Sequence, residues 1–345
     1  MDDVEKSRVR SFPWLIGTRA LLARWGIEFG KDGWNRLAVE TFGRWVARRL
    51  EPCDVFHCLS GFGLEAHRVA RERYGALTVC DRGSSHILFQ DEILAEEYGR
   101  WGMQYPGIDF RIVERELREY EECDLIFVPS TFAYRSFVQK GVAETKLVRI
   151  PYGVELRRFR PEAKRDSMFR VLYVGALSVQ KGIPYLLEAV SCLRMPDFEV
   201  WFVGAVQSDA RRFLASMGGR IRYLGIVPRT ELYRYYSQAS VFVIASIQEG
   251  LALVQAQAMA CGLPVIATTN TGAADLFTDG VEGFIVPIRN AEAIREKILF
   301  LYEHPDAREA MAEAALTRVR SLGGWQEYGS QVVSAYRRGL SARGS

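Results

Sequence analysis

The sequence predicts an α/β protein made of two Rossmann-like, doubly wound domains facing a cleft, and three observations carry that expectation. Short, wholly apolar, β-branched runs such as Val241-Phe-Val-Ile-Ala and Pro264-Val-Ile-Ala-Thr suit strands buried on both faces. Each run leads into a glycine-bearing or polar turn and then a helical pattern. The series occurs twice, on either side of Leu156 to Met168, a polar stretch with Pro161 and five Arg or Lys residues that reads as an interdomain linker.

Composition sets the outer limits. A chain of 345 residues accommodates two ordinary domains. Hydrophobic residues at 48% and charged residues at 25% describe a folded, soluble protein, and a net charge of +3 gives no reason to expect nucleic acid as a partner. The six cysteines form no Cys-x-x-Cys pair and no zinc spacing, so a reducing cytoplasm is the natural location. The charged start, Met-Asp-Asp-Val-Glu-Lys, is unlike a signal peptide, and no apolar run approaches the ~20 residues of a spanning helix.

Residues 1–50 alternate tryptophan and arginine. Trp14 to Trp25 and Asn35 to Leu50 read as helices. Basic residues beside tryptophan suit an anionic lipid surface, but Glu28, Asp32 and Glu40 dilute the charge, which favours tryptophans packed inward behind a solvated arginine face. Asp54 to Ser60 is the first strand. Gly61-Phe-Gly63-Leu-Glu-Ala66 follows it and opens a helix, and Asp81 ends the next strand, Ala76 to Cys80, which leaves an NAD-dependent enzyme as an alternative. A Gly-x-Gly match alone is unspecific, and a tight turn without pyrophosphate is the preferred reading.

The loop Asp81-Arg82-Gly83-Ser84-Ser85-His86 is dense in hydrogen-bonding groups, which suits an array of sugar hydroxyls; either serine also suits the cap of the next helix. His86 beside Asp81 raises acid–base chemistry, but no serine sits in a nucleophile-elbow context. Glu114 to Cys123 reads as a helix, Asp124 to Ser130 as a strand with Ser130 capping the helix Thr131 to Lys140, and Lys146 to Gly153 as a strand.

Beyond the linker, strands are expected at Phe169 to Gly175, Glu199 to Gly204 and Ile221 to Gly225, with helices at Pro184 to Leu193 and Arg229 to Ser240. Val241 to Ala245 then leads into Glu249-Gly250, a helix from Leu253 to Ala260, Gly262 as its left-handed stop and Pro264 beyond. Such a turn presents amides and a carboxylate at the end of a parallel sheet, where open α/β sheets bind ligands and helix N-termini attract phosphate. Glu249 and Gln257 lie eight residues apart and can face one polyhydroxylated ligand; an ordinary crossover with an exposed glutamate is the competing reading. Gly283 to Pro287 is the last strand, and Ala291 to Glu303, Asp306 to Arg320 and Trp325 to Leu340 are helices.

Glu249-Gly-Leu-Ala-Leu-Val-Gln-Ala-Gln-Ala-Met-Ala-Cys-Gly-Leu-Pro-Val-Ile resembles the signature of the group 1 (family 4) retaining glycosyltransferases of GT-B fold, with Gln257 at the second glutamate. Ile150-Pro-Tyr-Gly-Val154 resembles the family's connector, and Val174-Gly-Ala-Leu-Ser-Val-Gln-Lys-Gly182 its first donor loop. The resemblance implies an N-terminal acceptor-side domain at 1–160, a nucleotide-sugar donor domain at 161–324 and a last helix, 325–345, packing back on the first. That first domain reads as shortened, because residues 1–50 show no clear acceptor loop.

It also implies transfer of a sugar from a UDP- or GDP-sugar to a saccharide or glycolipid acceptor in polysaccharide or glycoconjugate synthesis, with no cofactor and no metal. Lys181 and Glu249 would be catalytic. Gly175, Lys181, Ile226, Glu249, Gly250, Leu251, Ala252, Leu253 and Gln257 would bind the donor. Gly61, Gly63, Asp81, Ser84, Ser85 and His86 would lie on the acceptor side. Two departures stand out. Ala176 replaces the usual diphosphate-binding arginine, and Cys80-Asp81 stands where many members end a strand in histidine. A nucleotide-sugar-binding protein without turnover is the rival within the fold, and peripheral contact with the inner membrane face follows from family likeness alone.

Overall fold

The structure, a computed structural model, describes residues 9–12, 31–214 and 221–343. The expected helix Trp14 to Trp25 lies outside the described residues. In chain order the first elements are α1 (Lys31–Arg49), β1 (Val55–Leu59), α2 (Leu64–Tyr74), β2 (Leu77–Asp81), α3 (Ile87–Arg100) and α4 (Phe110–Glu122). Next come β3 (Leu125–Val128), α5 (Thr131–Gln139) and β4 (Leu147–Arg149). After the linker follow β5 (Phe169–Val174), α6 (Ile183–Ser191), β6 (Phe198–Val203), α7 (Arg211–Leu214), β7 (Ile221–Tyr223), α8 (Leu232–Ser237) and β8 (Val241–Ile244). The chain ends with α9 (Leu253–Ala260), β9 (Val265–Thr268), α10 (Ala273–Leu276), β10 (Gly283–Val286), α11 (Ala291–Glu303), α12 (Pro305–Ser321) and α13 (Trp325–Arg343).

By compactness the chain forms two units, Met1–Asp81 with Ile108–Leu125, and Arg82–Gly107 with Ile126–Ser345. The expected division at residue 160 follows the linker and the order of the strands, whereas the compact units follow packing. In the smaller unit β1 and β2 pair in parallel, with Val55 opposite Leu77 and Leu59 opposite Asp81. All five residues of β2 are buried. Half-buried Trp45 joins an aromatic cluster with Phe12 and Phe42, while the packing expected of Trp14, Trp25 and Trp34 lies outside the described side chains.

The larger unit holds a six-stranded, all-parallel sheet in the order β10-β9-β8-β5-β6-β7. Side chains alternate along β5: Phe169, Val171 and Tyr173 enter one core with α6 and α11, while Leu172 and Val174 enter the opposite core with α9 and α12. Both faces are covered, which is why the strand is apolar apart from Arg170, whose guanidinium is buried against Glu199 and Asp166. The order of the strands reverses at β5: the chain first moves out through β6 and β7, then returns to place β8 on the other side. The turns after β5 and β8 therefore lie side by side, the switch point where doubly wound sheets bind ligands.

The sequence reading placed the core elements and erred at ends. The helix expected at Glu114 begins at Phe110, because the Asp109 side chain accepts from the Arg111 amide as an N-cap. The helix expected to reach Ser240 stops at Ser237, since the Ser240 amide is drawn to the Arg170 carbonyl at 2.8 Å. β4 ends at Arg149, two residues before Pro151, which has no amide to donate.

Also within the larger unit, α3 is held by a buried carboxylate. Glu97 accepts from Arg289 at 2.6 Å and from the Trp101 indole at 2.8 Å. In α13, Tyr336 stacks on Phe127 of β3 with ring centroids 6.0 Å apart.

Gly182 joins the turn after β5 to α6 at φ 65, and a Cβ there would strike the Ala245 carbonyl at the end of β8. Gly182→Ala is therefore expected to cost more than about 1 kcal/mol of stability. Urea unfolding checks this, and an unchanged midpoint would contradict the close approach of the two turns.

Candidate functional site

Lys181 closes the turn after β5, and Glu249 lies five residues past the end of β8. The reversal of strand order brings them together: the Lys181 ammonium donates to Glu249 Oε1, and the Ser246 hydroxyl donates to the same oxygen at 2.9 Å. The pair is three-quarters or more buried, with side-chain exposures of 25% and 15%. Charge-assisted bonds of this kind are strong in a partly desolvated setting.

The turn itself is braced from β9's loop. The Glu249 amide donates to the Asn270 carbonyl at 3.0 Å and the Ala252 amide to the Thr271 carbonyl at 3.1 Å. Gln255, wholly buried, donates to Thr271 O at 2.9 Å. Ala252's amide is thus already engaged, whereas among the described residues the amides of Gly250 and Leu251 meet no protein acceptor. They sit at the N-terminal end of α9, where partial positive charge gathers. Gln257, inside α9, accepts at 3.3 Å from the buried Tyr236 hydroxyl. Ile226 is 77% exposed, beside Gly225 at φ 72. Gly175 directly follows β5, its amide donating to Val203 O at 2.9 Å.

Ser84, Ser85 and His86 belong to the same compact unit as Glu249. Neither serine caps α3. The cap is His86, whose Nδ1 accepts from the Leu88 amide at 3.2 Å. Burial pushes the His86 pKa down to about 4, so the ring is neutral and serves as an acceptor, not as an acid. Both serine hydroxyls instead accept from Gln248, at 2.6 and 2.9 Å. Gly250 packs so closely on Gly83 that any Cβ would meet the Gly83 carbonyl. Ser130 does cap α5, accepting from the Ala133 amide at 3.1 Å, and its hydroxyl also donates to Gly250 O at 2.6 Å.

Gly61, Gly63 and Asp81 lie in the smaller unit. The amides of Gly61, Gly63 and Leu64, which a pyrophosphate would need, all donate to Glu119; the last two do so at 2.8 Å. Glu119 is wholly buried and fills the place of the phosphate, which leaves the dinucleotide reading no open donors at this turn. Asp81 faces His57, Nε2 to Oδ2 3.2 Å. Among the described residues no group of three or more His, Cys, Asp or Glu is placed to hold a metal ion.

Residues 168–304, which include both turns of the switch point, match the family model described as Glycosyl transferases group 1. The chain carries a group 1 glycosyltransferase domain.

The D-inositol 3-phosphate glycosyltransferase of Paenarthrobacter aurescens is 28% identical to it over 210 residues, 55% of this chain and 51% of that protein. The GDP-mannose-dependent monoacylated alpha-(1-6)-phosphatidylinositol monomannoside mannosyltransferase of Corynebacterium glutamicum is 24% identical over 236 residues, 62% of each. The chain spans about half the length of the D-inositol 3-phosphate glycosyltransferases it matches. Among solved structures, the sucrose-phosphate synthase of Thermosynechococcus elongatus aligns with a TM-score of 0.71 at 24% identity, over 88% of this chain and 77% of that one. HepE of Anabaena, solved with UDP, aligns with a TM-score of 0.66 at 17% identity, over 93% of this chain and 89% of that one. These likenesses show the GT-B fold, two parallel-sheet Rossmann-like sets.

The sequence reading of the glycosyltransferase domain missed Gln248, Asn270 and Tyr236, and outside it Glu119 and His57. Gln248 adjoins the Glu-Gly motif but carries no pattern of its own. Glu119 sits on the helix expected from Glu114, one of several glutamates indistinguishable by spacing. His57 lies on a strand that the reading found, and only parallel pairing of β1 with β2 brings it to Asp81.

Burial pushes the Glu119 carboxyl up from 4.5 to about 7, although the Gly61 and Gly63 amides and Arg115 pull it down. The folded state therefore keeps this proton longer than the unfolded chain. The associated stabilisation is complete below about pH 4.5 and is lost as pH rises through about 7. Unfolding free energy is expected to fall across that window, and Glu119→Gln, which cannot titrate, is expected to remove this share of the slope. Urea titrations at about pH 5 and about pH 8 measure it, and an identical slope in the variant would falsify the assignment.

Proposed function

We propose that the protein transfers a sugar from a UDP- or GDP-sugar to a sugar-containing acceptor with retention of the anomeric configuration, in polysaccharide or glycoconjugate synthesis. The observation that carries this reading is the Lys181–Glu249 pair at the switch point, within the span that matches the family model. As the glycosidic bond breaks, negative charge gathers on the leaving diphosphate and positive charge on the sugar ring. Lys181 and the amides of Gly250, Leu251 and Leu253 oppose the first charge. Glu249, released from Lys181 by the arriving phosphates, accepts from the sugar hydroxyls. The leaving phosphate takes the acceptor proton on the same face, so no carboxylate nucleophile and no metal is needed.

Gln257 meets the ribose, where a neutral amide both donates and accepts. The exposed Ile226 offers an apolar face to the base. HepE was solved with UDP, and the Corynebacterium relative is named for GDP-mannose, so both bases belong in the donor screen. No helix among the described residues is long and apolar enough to cross a membrane; a glycolipid acceptor would be met by peripheral contact.

A second reading, nucleotide-sugar binding without turnover, draws support from Ala176 and from a lysine already neutralised by its own glutamate. A donor panel separates the two: a binder raises the melting temperature and forms no product. For the transferase, Lys181→Ala is expected to lower turnover by at least ~10²-fold, the scale of losing one aligned electrostatic contact. Steady-state rates with the best donor test this, and a rate within a few-fold of the parent would sink the role given to Lys181.

A further inference from the structure

The smaller unit carries a cavity of about 330 Å³ among α1, α2 and α4. One kind of group dominates its lining. Arg44 comes from α1, Arg68 from α2, and Arg111, Arg115 and Arg118 from α4. On α4 the three stand at intervals of four and three residues, which places them on one face of the helix. Glu40, Glu65 and Glu114 line the same cavity, with Val39, Leu64 and Ile112 as its apolar part. Five guanidinium groups therefore meet three carboxylates, in a chain whose whole net charge is only +3.

Two of the three carboxylates are spent. Glu65 forms a forked pair with Arg115, whose Nε donates to the Gly61 carbonyl at 2.7 Å. Glu114 accepts from Arg118 at 2.5 Å. Glu40 approaches Arg44 only to 3.7 Å. Arg68 donates at 2.6 Å to Glu122, which does not line the cavity. Arg111 has no carboxylate partner among the described residues. Its guanidinium lies over the Phe110 ring, 5.2 Å from the centroid, and Phe110 is 69% exposed. Like charges gathered from three helices repel one another, and Arg111 adds to the repulsion without an internal ion pair to offset it.

Only an anion relieves that repulsion. A carboxylate matches one planar fork, whereas a phosphate ester presents oxygens in several directions and can take guanidinium groups from more than one helix. The volume lies at the small end of ligand pockets, which suits a single phosphate ester. We propose that this cavity binds the phosphate group of a small ester or of a lipid headgroup, with Arg111 and the loosely paired Arg44 as its leading donors. Its lining residues all belong to the smaller unit, whereas Lys181 and Glu249 belong to the larger, and the proposal does not depend on the transferase reading.

Saturation-transfer NMR on the full chain tests it with sn-glycerol 3-phosphate. Glycerol is the uncharged control, malonate the carboxylate control, and UDP is added in excess to fill any donor site. Arg111→Gln is the discriminating variant, because the guanidinium it removes meets only the Phe110 ring. Arg320→Gln, at an exposed position on α12, controls for net charge. Glycerol phosphate is expected to bind with UDP present, to weaken at least ~10-fold in Arg111→Gln, the scale of one hydrogen bond to a charged group, and to keep its affinity in Arg320→Gln. Arg44→Gln is expected to weaken it as well. Displacement by UDP would give the anion to the Lys181 turn and overturn the proposal. So would malonate binding as tightly, an equal loss in Arg111→Gln and Arg320→Gln, or affinity indifferent to Arg111. Sedimentation with phosphatidylcholine vesicles, with and without phosphatidylglycerol, separates the two sources. Pelleting that needs both phosphatidylglycerol and Arg111 assigns a headgroup, and glycerol phosphate binding without pelleting assigns a soluble ester. Binding of neither overturns the proposal.

Discussion

The larger unit depends on one topological constraint: the strand order of its sheet reverses at β5. Parallel strands need crossovers, and a right-handed crossover places each turn at the carboxyl edge of the sheet. At the reversal, two such turns have no helix between them. Lys181 and Glu249 are 68 positions apart in the chain, yet the turns after β5 and β8 set their side chains in contact. The glycines follow from the same crowding. Gly182 must clear the Ala245 carbonyl, and Gly250 must clear Gly83. Gln248 and Ser130 then tie the Glu249 turn to neighbouring loops, so the carboxylate is aimed by several elements at once.

Two carboxylates stand where an anionic ligand might be expected, and their burial separates their roles. Glu119 is wholly enclosed and takes the amides at the start of α2; its site is full, and its task is to hold a turn that would otherwise leave three donors without acceptors. Glu249 keeps some exposure, and its partner Lys181 opens onto a cavity. An ion pair in that setting can be exchanged for another, because an arriving anion compensates the lysine as the glutamate leaves it. The Gly-x-Gly turn and the Glu-Gly turn look equally inviting as local patterns, and the difference between them is the occupant.

Much of this was written into local patterns. The apolar runs identified the buried strands, since residues facing both cores are mostly apolar; Arg170 and Glu199, buried as a pair on β5 and β6, are exceptions. The helix Leu253–Ala260 was readable from its composition, and Gly262 does adopt the left-handed conformation that its position past the helix demands. The long match around Glu249 marked the family. Errors gathered at element ends, where the deciding partner is distant: Asp109 capping α4, or Arg170 taking the Ser240 amide.

What the sequence alone determined was therefore periodicity, turn chemistry and the signature around Glu249, all properties of ten or twenty consecutive residues. Only the tertiary structure decided who faces whom. It gave His86 a capping role and the two serines to Gln248, set His57 against Asp81, and filled the first glycine turn with Glu119. The reason is physical: a side chain's chemistry is fixed by its type, but whether that chemistry is spent inside the protein or offered to a ligand depends on neighbours that only the folded sheet brings within hydrogen-bond reach.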